Sequence, residues 1–392
     1  MAECPGVLPT RPTIFGLPLD REGVTIVSYK PVQMARLADI ARACGVSKAT
    51  VSLALNGKPG VSLDTRRLVL EVAKKLNYRP HASARSLALQ RTDTLGVIVP
   101  DLSSPFYAEV IRGLEEEALQ HGFFLVLATT MGNPEREELC LRLLQERRVD
   151  GILFVTPRGN ERLIREIHAG GFPVVVVDRE IQSEDGVAEV IVDNYGGARQ
   201  AVEHLLALGY RRIGYINGIP EIQASQERWR AYRDALQSHG IRISKKWVEV
   251  GWFLPEGGYQ AMTRLLRISP RLEAVFVACD WMALGAMRAI RERGLRIPQD
   301  IAVVGFDDVP LAAQTDPPLT TVRQPMVEMG RAGVQLLAKL IREKKIRQRK
   351  VVLPTELVVR STTPAPSSRA KPLVLVGGEG GTCWRTRRGS RE

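Results

Sequence analysis

The chain of 392 residues carries a net charge of +12 and is 44% hydrophobic. These values exclude a fibrous or wholly disordered protein and indicate two or three domains with apolar cores. The first twenty residues lack a basic start followed by an apolar stretch, and no run approaches the roughly 18 apolar residues of a membrane span. We therefore expect a cytoplasmic protein.

The five cysteines are scattered and form no CxxC pair, and the five histidines show no metal-ligand spacing. His121 and His239 directly precede a glycine, as is typical near helix C-termini. We expect no disulfide framework, no metal site and no cofactor.

The positive charge is concentrated in one segment. Residues 36–91 hold eleven Lys and Arg against three Asp and Glu, whereas residues 92–361 are neutral overall. A compact basic segment beside a neutral body indicates contact with nucleic acid. The alternative is a basic face that is merely solvated.

Composition and periodicity divide the chain into five parts. Residues 1–33 are rich in Pro and Gly without periodicity, which predicts a disordered extension or a translation start placed too early. Residues 36–79 predict several short helices, and 80–93 connect them to a long segment of alternating strands and helices, 94–361. Residues 362–392 are rich in Pro, Gly and Arg and predict a disordered tail.

The segment ARLADIARACGVSKATVSLALNG predicts a helical hairpin. Leu37, Ile40 and Ala41 share one helical face, and a tight turn ends before Ser47, which is placed to cap a second helix. Val51 and Leu55 are expected to face the first helix. This geometry places a helix N-terminus where it can enter a DNA major groove.

A third helix is predicted from Ser62 to Leu76, with Ser62 as its cap. Leu68, Val69 and Val72 are expected to pack beneath the first two helices.

From residue 94 the short β-branched runs TLGVIVP, FFLVLATT, GILFVT and PVVVVD alternate with helical segments. A second series, RIGYIN, WVEVG, AVFVAC and IAVVGF, follows Asp193. The predicted fold class is therefore an all-α helix-turn-helix head followed by two doubly wound α/β lobes, each with a parallel sheet, and a cleft between them.

Two segments, VSKATVSLALNGKPGVS and KKLNYRPHASARSLA, resemble the head and hinge of the LacI/GalR family of transcriptional regulators. The resemblance covers about residues 36 to 361. It implies a helix-turn-helix domain at 36–79, a hinge helix within 80–93, and a periplasmic-binding-protein-like domain at 94–361 that binds an effector and dimerises. It further implies a repressor whose affinity for operator DNA is controlled by a sugar or related small metabolite.

The resemblance also assigns roles to residues of the head. The positions that match DNA-contacting positions of the family are Ser47, Lys48, Ala49, Thr50, Ser52, Leu53, Asn56, Tyr78, His81, Arg85 and Leu87. Lys48, Ala49 and Leu53 match base-reading positions, and Leu87 matches a leucine that enters the minor groove. Leu53 can offer only an apolar contact, and helix packing is its alternative role.

The positions that match effector contacts are Phe106, Tyr107, Asp178, Arg228, Phe253, Cys279, Asp280 and Asp307. Asp178 and Asp307 end strands, where open sheets bind ligands. Phe106 and Tyr107 are equally typical of a core, and Arg228 with Asp307 could form a salt bridge between the lobes.

Two departures from the family bear on the effector. Cys279 stands where sugar-binding relatives often carry asparagine, and a thiol is a weak donor. Ile222 stands where purine-binding relatives carry arginine, which disfavours a purine.

Two other classes of protein remain as rivals. A solute-binding protein of a transport system would use the same two lobes, but it would need a signal peptide and no basic head. An enzyme is not expected, because the sequence contains no GxGxxG, GxxxxGK[ST], GxSxG or HExxH. The tail contains no leucine heptad, so we expect a homodimer rather than a tetramer.

Overall fold

The computed structural model describes residues 35–78, 91–146, 149–155, 161–181, 186–268, 271–343 and 346–364. It also gives the backbone of two short antiparallel strands, β1 (Thr13–Ile14) and β2 (Leu17–Pro18). The predictions for the rest of 1–33 and for 365–392 fall outside these residues. The chain divides into two compact units, residues 1–89 and 90–392.

The head contains the three predicted helices, α1 (Leu37–Cys44), α2 (Lys48–Leu55) and α3 (Leu63–Lys75). The backbone N–H of Thr50 donates to Ser47 Oγ at 3.1 Å, and that of Thr65 donates to Ser62 Oγ at 3.2 Å. Both predicted N-caps are confirmed, because each serine hydroxyl satisfies an otherwise unpaired donor of the first helical turn.

The head has its own small core. Its buried side chains are Ile40, Ala41, Val51, Ala54, Val69 and Ala73. Val72 and Leu55 pack against this core as predicted, but Leu68 is 45% exposed, so its predicted packing is wrong. Val69 is buried as predicted, and because adjacent residues on a helix are about 100° apart, Leu68 points in another direction.

The first lobe is built on a six-stranded sheet in the order β13-β7-β6-β5-β3-β4, in which every pair is parallel. Its strands are β3 (Thr94–Val99), β4 (Phe124–Thr129), β5 (Gly151–Val155), β6 (Val174–Val177), β7 (Ala188–Val192) and β13 (Lys350–Leu353). Its helices are α4 (Pro105–Gln120), α5 (Pro134–Glu146), α6 (Glu161–Ala169) and α11 (Met326–Glu343).

Helices cover both faces of this sheet. Val97 and Leu153 point toward the face that α4 and α11 cover, whereas Ile98 and Phe154 point toward α5 and α6. Successive strand residues point to opposite faces, so a run that is apolar throughout indicates a sheet buried on both sides.

The second lobe repeats the architecture with one difference. Its sheet order is β14-β12-β11-β10-β8-β9, and every pair is parallel except the edge pair β12–β14. The strands are β8 (Ile213–Asn217), β9 (Val248–Val250), β10 (Ala274–Val277), β11 (Ala302–Asp307), β12 (Thr320–Arg323) and β14 (Glu356–Val358). The helices are α7 (Asn194–Ala207), α8 (Gln223–Ser238), α9 (Pro255–Leu265) and α10 (Asp280–Glu292), with 3₁₀ turns at Lys245–Trp247 and Pro310–Ala313.

The lobes are not consecutive in the chain, contrary to the simple two-series prediction. The chain crosses between them at 193–194, at 324–325 and at 354–355. Helix α11 returns to the first lobe because its apolar side complements α4 and the sheet face above it. The cleft is therefore bounded by three connecting segments at one side.

Residues just outside the predicted ends of the α/β domain, 94 and 361, also contact its lobes. At its start, the backbone N–H groups of Thr92 and Asp93 donate to the carboxylate of Asp150 at 2.7 and 2.8 Å, so both residues belong to the first lobe. At its end, Thr362 and Thr363 are buried in the second lobe, and Thr362 Oγ1 accepts from the N–H of Thr320 at 2.7 Å. The second lobe thus extends past residue 361.

Among the described residues, no helix is both long enough and apolar enough to cross a bilayer.

Two glycines set the close approach of α4 and α11. A Cβ on Gly113 would lie 2.0 Å from the carbonyl oxygen of Val327, and a Cβ on Gly330 would lie 2.2 Å from that of Val110. Real Cβ atoms do not approach a backbone oxygen so closely, so an added methyl group would push the helices apart.

Gly113→Ala should lower the free energy of unfolding by about 1–3 kcal/mol, because the overpacked helix pair must separate. Urea unfolding measures the change. Gly170→Ala is the control, since a Cβ there would have only ordinary contacts, the nearest at 3.4 Å. A stabilised Gly113→Ala protein, as alanine's higher helix propensity alone would give, would contradict this account of the helix packing.

Candidate functional site

The N-terminal end of α2 is the exposed surface of the head that matches the predicted DNA contacts. Ser47, Lys48 and Ala49 are exposed, and Thr50 and Ser52 are half-buried. The hydroxyls of Ser47 and Thr50 also bond to each other at 2.9 Å, so these two residues brace the helix start. The arrangement leaves Lys48 free to extend from the first turn.

Leu53, with its two alternative roles, lies on α2. This side chain is half-buried, and it is not among the side chains that pack against the described core of the head, whereas its neighbour Leu55 is. The base-reading role of Leu53 stays a prediction.

Two other predicted contacts have structural roles within the head. The side-chain amide of Asn56 donates to the carbonyl of Ser52 at 2.9 Å, at the end of α2. Tyr78 packs against the core of the head. The predicted hinge helix, with His81, Arg85 and Leu87, lies outside the described residues.

A cleft opens between the two lobes at the C-terminal ends of their parallel strands. It is lined by Ser104, Pro105, Phe106, Tyr107, Asp178, Ile222, Ala224, Arg228, Phe253, Cys279, Trp281, Asp307, Val309 and Gln324. Seven of the eight predicted effector contacts lie on its wall. The exception is Asp280.

Arg228 is the best-anchored charge in the cleft. Its Nε and Nη2 donate to Asn194 Oδ1 at 3.0 and 2.8 Å, and its Nη1 donates to the carbonyl oxygen of Ala278 at 2.5 Å. Its guanidinium lies 3.8 Å above the ring centre of Phe306, a distance that gives a strong cation–π contact.

The pair of Arg228 and Asp307 lies within one lobe. Nη1 of Arg228 is 4.0 Å from Oδ1 of Asp307, and α8 and β11, which carry the two residues, both belong to the second lobe. The alternative of a salt bridge between lobes is therefore wrong. Burial raises the pKa of Asp307 to about 6, although the nearby Arg228 opposes this shift.

Gln324 orients Asp307 from the connecting segment between the lobes. Its Nε2 donates to Asp307 Oδ1 at 2.6 Å, and its backbone N–H donates to the Asp307 carbonyl at 3.0 Å. Because a carboxylate only accepts, this bond turns the amide oxygen of Gln324 away from Asp307, and that buried oxygen has no partner.

Asp178 faces the second lobe from the end of β6. Its Oδ1 is shielded from solvent and has no partner, and its φ of 73° lies in the left-handed region. Burial raises the pKa of this carboxyl to about 7, while Arg228 lowers it and Asp307 raises it. A shifted carboxyl in a cleft is a frequent mark of a functional site.

Aromatic side chains supply the apolar walls. Phe106 is buried and contacts Tyr107 edge to face, with ring centres 5.2 Å apart, so the core and the cleft interpretations both hold for Phe106. On the second lobe, Phe253 lies against Gly218, where a Cβ would meet its ring at 2.1 Å. Trp281 completes the wall.

Two of the predicted effector contacts, Cys279 and Asp280, lie at the start of α10. Cys279 caps α10, because its Sγ accepts from the N–H of Met282 at 3.4 Å, and burial holds the thiol pKa well above its usual value. Asp280 is fully buried behind the wall, where its carboxylate accepts from Thr321 Oγ1 at 2.6 Å and from the N–H of Val309 at 3.0 Å. The prediction that Asp280 contacts the effector needs correction, because this side chain is fully buried and does not line the cleft.

Sequence reasoning missed Trp281 and Gln324 as cleft residues. Trp281 follows Asp280 directly, so the motif located the right segment but the wrong side chain. Gln324 follows the short strand β12, which is not among the strands predicted from the sequence. A polar residue directly after such a strand would have been its only signal.

Comparison with known proteins finds matches for both the helical head and the two-lobed domain. Residues 36–81 match the model of bacterial regulatory proteins of the lacI family, and residues 202–363 match a periplasmic binding protein-like domain. The ribose operon repressor of Haemophilus influenzae is 36% identical over 84% of this chain and 98% of that protein.

Two solved structures are similar over most of the chain. The complex of the transcriptional regulator CelR with cellobiose is 35% identical, with a TM-score of 0.65 over 84% of this chain and 100% of that chain. The lac repressor dimer bound to operator and the anti-inducer ONPF is 30% identical, with a TM-score of 0.77 over 85% of this chain and 100% of that chain.

A helix-turn-helix head joined to a two-lobed domain with a cleft defines a DNA-binding transcriptional regulator. The chain belongs to the lacI family of bacterial regulatory proteins.

Asp178→Asn should stabilise the protein more at pH 8 than at pH 5. Folded Asp178 keeps its proton up to about pH 7, whereas an unfolded carboxyl loses it near pH 4. Between these values the folded state binds the extra proton, so the contribution of Asp178 to stability falls as pH rises. The difference between variant and wild type in free energy of unfolding should grow by on the order of 2 kcal/mol from pH 5 to pH 8.

Urea unfolding at several pH values measures this difference. Asp300→Asn is the control, because Arg296 lowers the pKa of Asp300 to about 2 and its titration lies below pH 5. Parallel pH curves for wild type and Asp178→Asn would contradict the raised pKa.

Proposed function

We propose that this protein is a repressor that binds a roughly palindromic operator and that a small metabolite in the cleft controls its affinity for DNA. In this proposal residues 36–79 bind DNA, 80–93 form the hinge, and the lobes bind the effector and dimerise. The observation that carries the proposal is the exposed, Ser47-capped N-terminus of α2 on a basic head. Such a helix end is suited to the major groove.

The proposed DNA contacts follow from this surface. Lys48 would donate to guanine O6 and N7, Ala49 and Leu53 would offer apolar contacts to thymine methyl groups, and Leu87 would enter the minor groove. The remaining proposed contacts to phosphates or to the hinge region are Ser47, Thr50, Ser52, Asn56, Tyr78, His81 and Arg85.

The cleft supports a binding role rather than a catalytic one. Arg228 and Asp307 are buried and hydrogen-bonded to the protein. The similar CelR structure holds cellobiose, and another relative is named for the ribose operon. We therefore propose a sugar or related metabolite as the effector, and a cytoplasmic location, where operator DNA is found. A role as a transport solute-binding protein is not favoured, because it gives the head no function.

One edge of the first lobe supports dimerisation. Strand β4 ends its sheet, and the strand and its neighbouring helices expose apolar side chains, with Phe124 69% exposed. The others are Leu119, Val126, Leu127, Leu139 and Leu143. An exposed apolar edge strand is prone to pair with another chain. We propose a second copy of the chain as its occupant; the similar lac repressor is also a dimer.

Selection of bound fragments from genomic DNA should recover one palindromic sequence. Lys48→Ala should reduce discrimination against a changed base pair by about 1–3 kcal/mol, because a base contact is lost. Lys75→Ala, which removes the same charge from the exposed end of α3, is the matched control and should change mainly the salt dependence. Gel-shift titrations with the selected and mismatched duplexes measure both effects.

Failure to recover any sequence at low and moderate salt would refute the repressor function. Equal loss of discrimination in both variants would instead refute the base-reading role of Lys48.

Phe124→Asp should give monomers and weaker operator binding, because a charge would be buried at the proposed interface. Analytical ultracentrifugation measures the mass. Val352→Asp is the control, since Val352 is 55% exposed on β13 at the opposite edge of the same sheet. A dimeric Phe124→Asp protein would exclude this surface as the interface.

A further inference from the structure

Four loops of the second lobe meet at the end of its sheet that lies opposite the cleft. The strands β9, β8, β10 and β11 are neighbours and run parallel, so the loops that enter them lie at the same edge of the sheet. These loops are 208–212, 239–247, 266–273 and 293–301. The surface that they form together is termed the basic surface below.

Direct contacts join the loops of the basic surface. The backbone N–H groups of Arg211 and Arg212 both donate to Glu273 Oε2 at 2.9 Å, and Nε of Arg212 donates to the carbonyl of Arg271 at 2.8 Å. The 3₁₀ turn Lys245–Trp247 packs against β8, the strand that Arg212 precedes. The loops therefore form one continuous surface.

The loops of the basic surface are rich in positive charge. They hold nine Lys and Arg against two Asp and Glu. The loops at the cleft end of the same strands, 218–222, 251–254, 278–279 and 308–309, hold two Asp and Glu and no Lys or Arg. Because residues 92–361 are neutral overall, the charge of the basic surface is a local concentration.

The two acidic residues of these loops leave most of the positive charge uncompensated. Glu273 Oε1 lies 2.7 Å from Nη2 of Arg212, and Asp300 Oδ2 accepts from Nε of Arg296 at 2.9 Å. Six other basic side chains are exposed and make no ion pair or side-chain hydrogen bond within the described residues. They are Arg242, Lys245, Lys246, Arg267, Arg271 and Arg293.

Helix ends explain only part of this charge. The partial negative charge of a helix C-terminus favours cations, but the effect falls off within the last turn. Arg267 and Arg293 directly follow the ends of α9 and α10, whereas Arg242 and Arg271 lie further along their loops. Like charges on one surface also repel each other. A bound polyanion accounts for both observations.

The basic surface suits a nucleic acid backbone better than an acidic protein. Protein–protein interfaces have an apolar centre and are depleted in Lys, whereas protein–DNA interfaces are polar and positively charged. Among the described residues, none of the exposed large apolar side chains lies in the four loops. Four of the six unpaired side chains are arginines, whose forked donors match the oxygens of a phosphate.

We propose that the basic surface is a second, sequence-independent site for duplex DNA, separate from the head. Its Lys and Arg side chains bind phosphate oxygens and make no contact with base edges. The surface belongs to the unit 90–392, whereas the helix-turn-helix belongs to 1–89. One protein can thereby hold an operator through its head and another stretch of duplex through its second lobe.

Lysine acetylation of the full-length protein, followed by peptide mass spectrometry, locates the DNA. The probe is a random-sequence duplex of about 40 base pairs at about 50 mM salt. Bound duplex should slow the acetylation of Lys245 and Lys246 by at least about threefold, and this protection should be lost by about 200 mM salt, because phosphate contacts are weakened by salt. Lys339, which is exposed on α11, is the internal control and should not change.

A triple variant tests the charges and keeps both lysines as reporters. Arg267→Gln, Arg271→Gln and Arg293→Gln together should reduce the protection of Lys245 and Lys246 to less than about half, because three phosphate contacts are lost. The matched control replaces three exposed arginines of the first lobe, namely Arg162→Gln, Arg342→Gln and Arg347→Gln, and should keep the protection. Urea unfolding verifies that both proteins are folded.

Unprotected Lys245 and Lys246 at low salt, or an equal loss of protection in the two triple variants, would overturn the proposal. Poly-L-glutamate serves as a parallel probe. Protection by this polypeptide but not by duplex DNA would also overturn it and would assign the surface to an acidic protein. Lys48 reports on the head in the same experiment, so a head that does not bind DNA and a basic surface that does not bind DNA give different results.

Discussion

The buried guanidinium of Arg228 joins the elements that form the second-lobe wall of the cleft. It bonds to Asn194, where the chain has just entered the second lobe, and to the carbonyl at the end of β10, and it covers the ring of Phe306 on β11. Removing a cation from water costs several kcal/mol unless its donors are satisfied. Three of its five N–H groups donate to Asn194 and to the Ala278 carbonyl, and Asp307 lies 4.0 Å away. The positions of the surrounding strand ends therefore depend on one side chain.

The connecting segments explain how such a rigid wall can take part in a change of shape. Each lobe has its own covered sheet, so the lobes can move as units about the crossings at 193–194, 324–325 and 354–355. Across the cleft, Glu180 and Gln223 exchange two hydrogen bonds of 3.1 Å, the backbone N–H of Glu180 donating in one and the amide of Gln223 in the other. A bound ligand and the two hydrogen bonds between Glu180 and Gln223 thus both depend on the relative position of the lobes. Ligand binding can therefore be coupled to distant parts of the protein.

Local sequence patterns predicted the helix caps and the buried strands correctly. Ser47 and Ser62 precede helices and cap them, because a side-chain oxygen beside unpaired N–H groups acts within one turn. The continuous apolar runs predicted parallel strands, because a strand that is buried on both faces does not alternate polar and apolar residues. Leu68 and Asp280 were misplaced, because periodicity leaves the direction of one side chain uncertain and a motif does not tell which carboxylate its neighbours already use.

The sequence by itself determined the helical head with its caps, the two α/β lobes, the resemblance to lacI-family regulators and half of the side chains that line the cleft. Tertiary structure alone decided that α11 and β13 return to the first lobe, that Asp280 is bonded behind the wall, and that Gln324 stands in the cleft. The physical reason is distance along the chain. Capping and strand burial depend on neighbours within a few residues, whereas the partners of Asp280 and Gln324 lie 17 to 41 residues away and meet only when the sheet has formed.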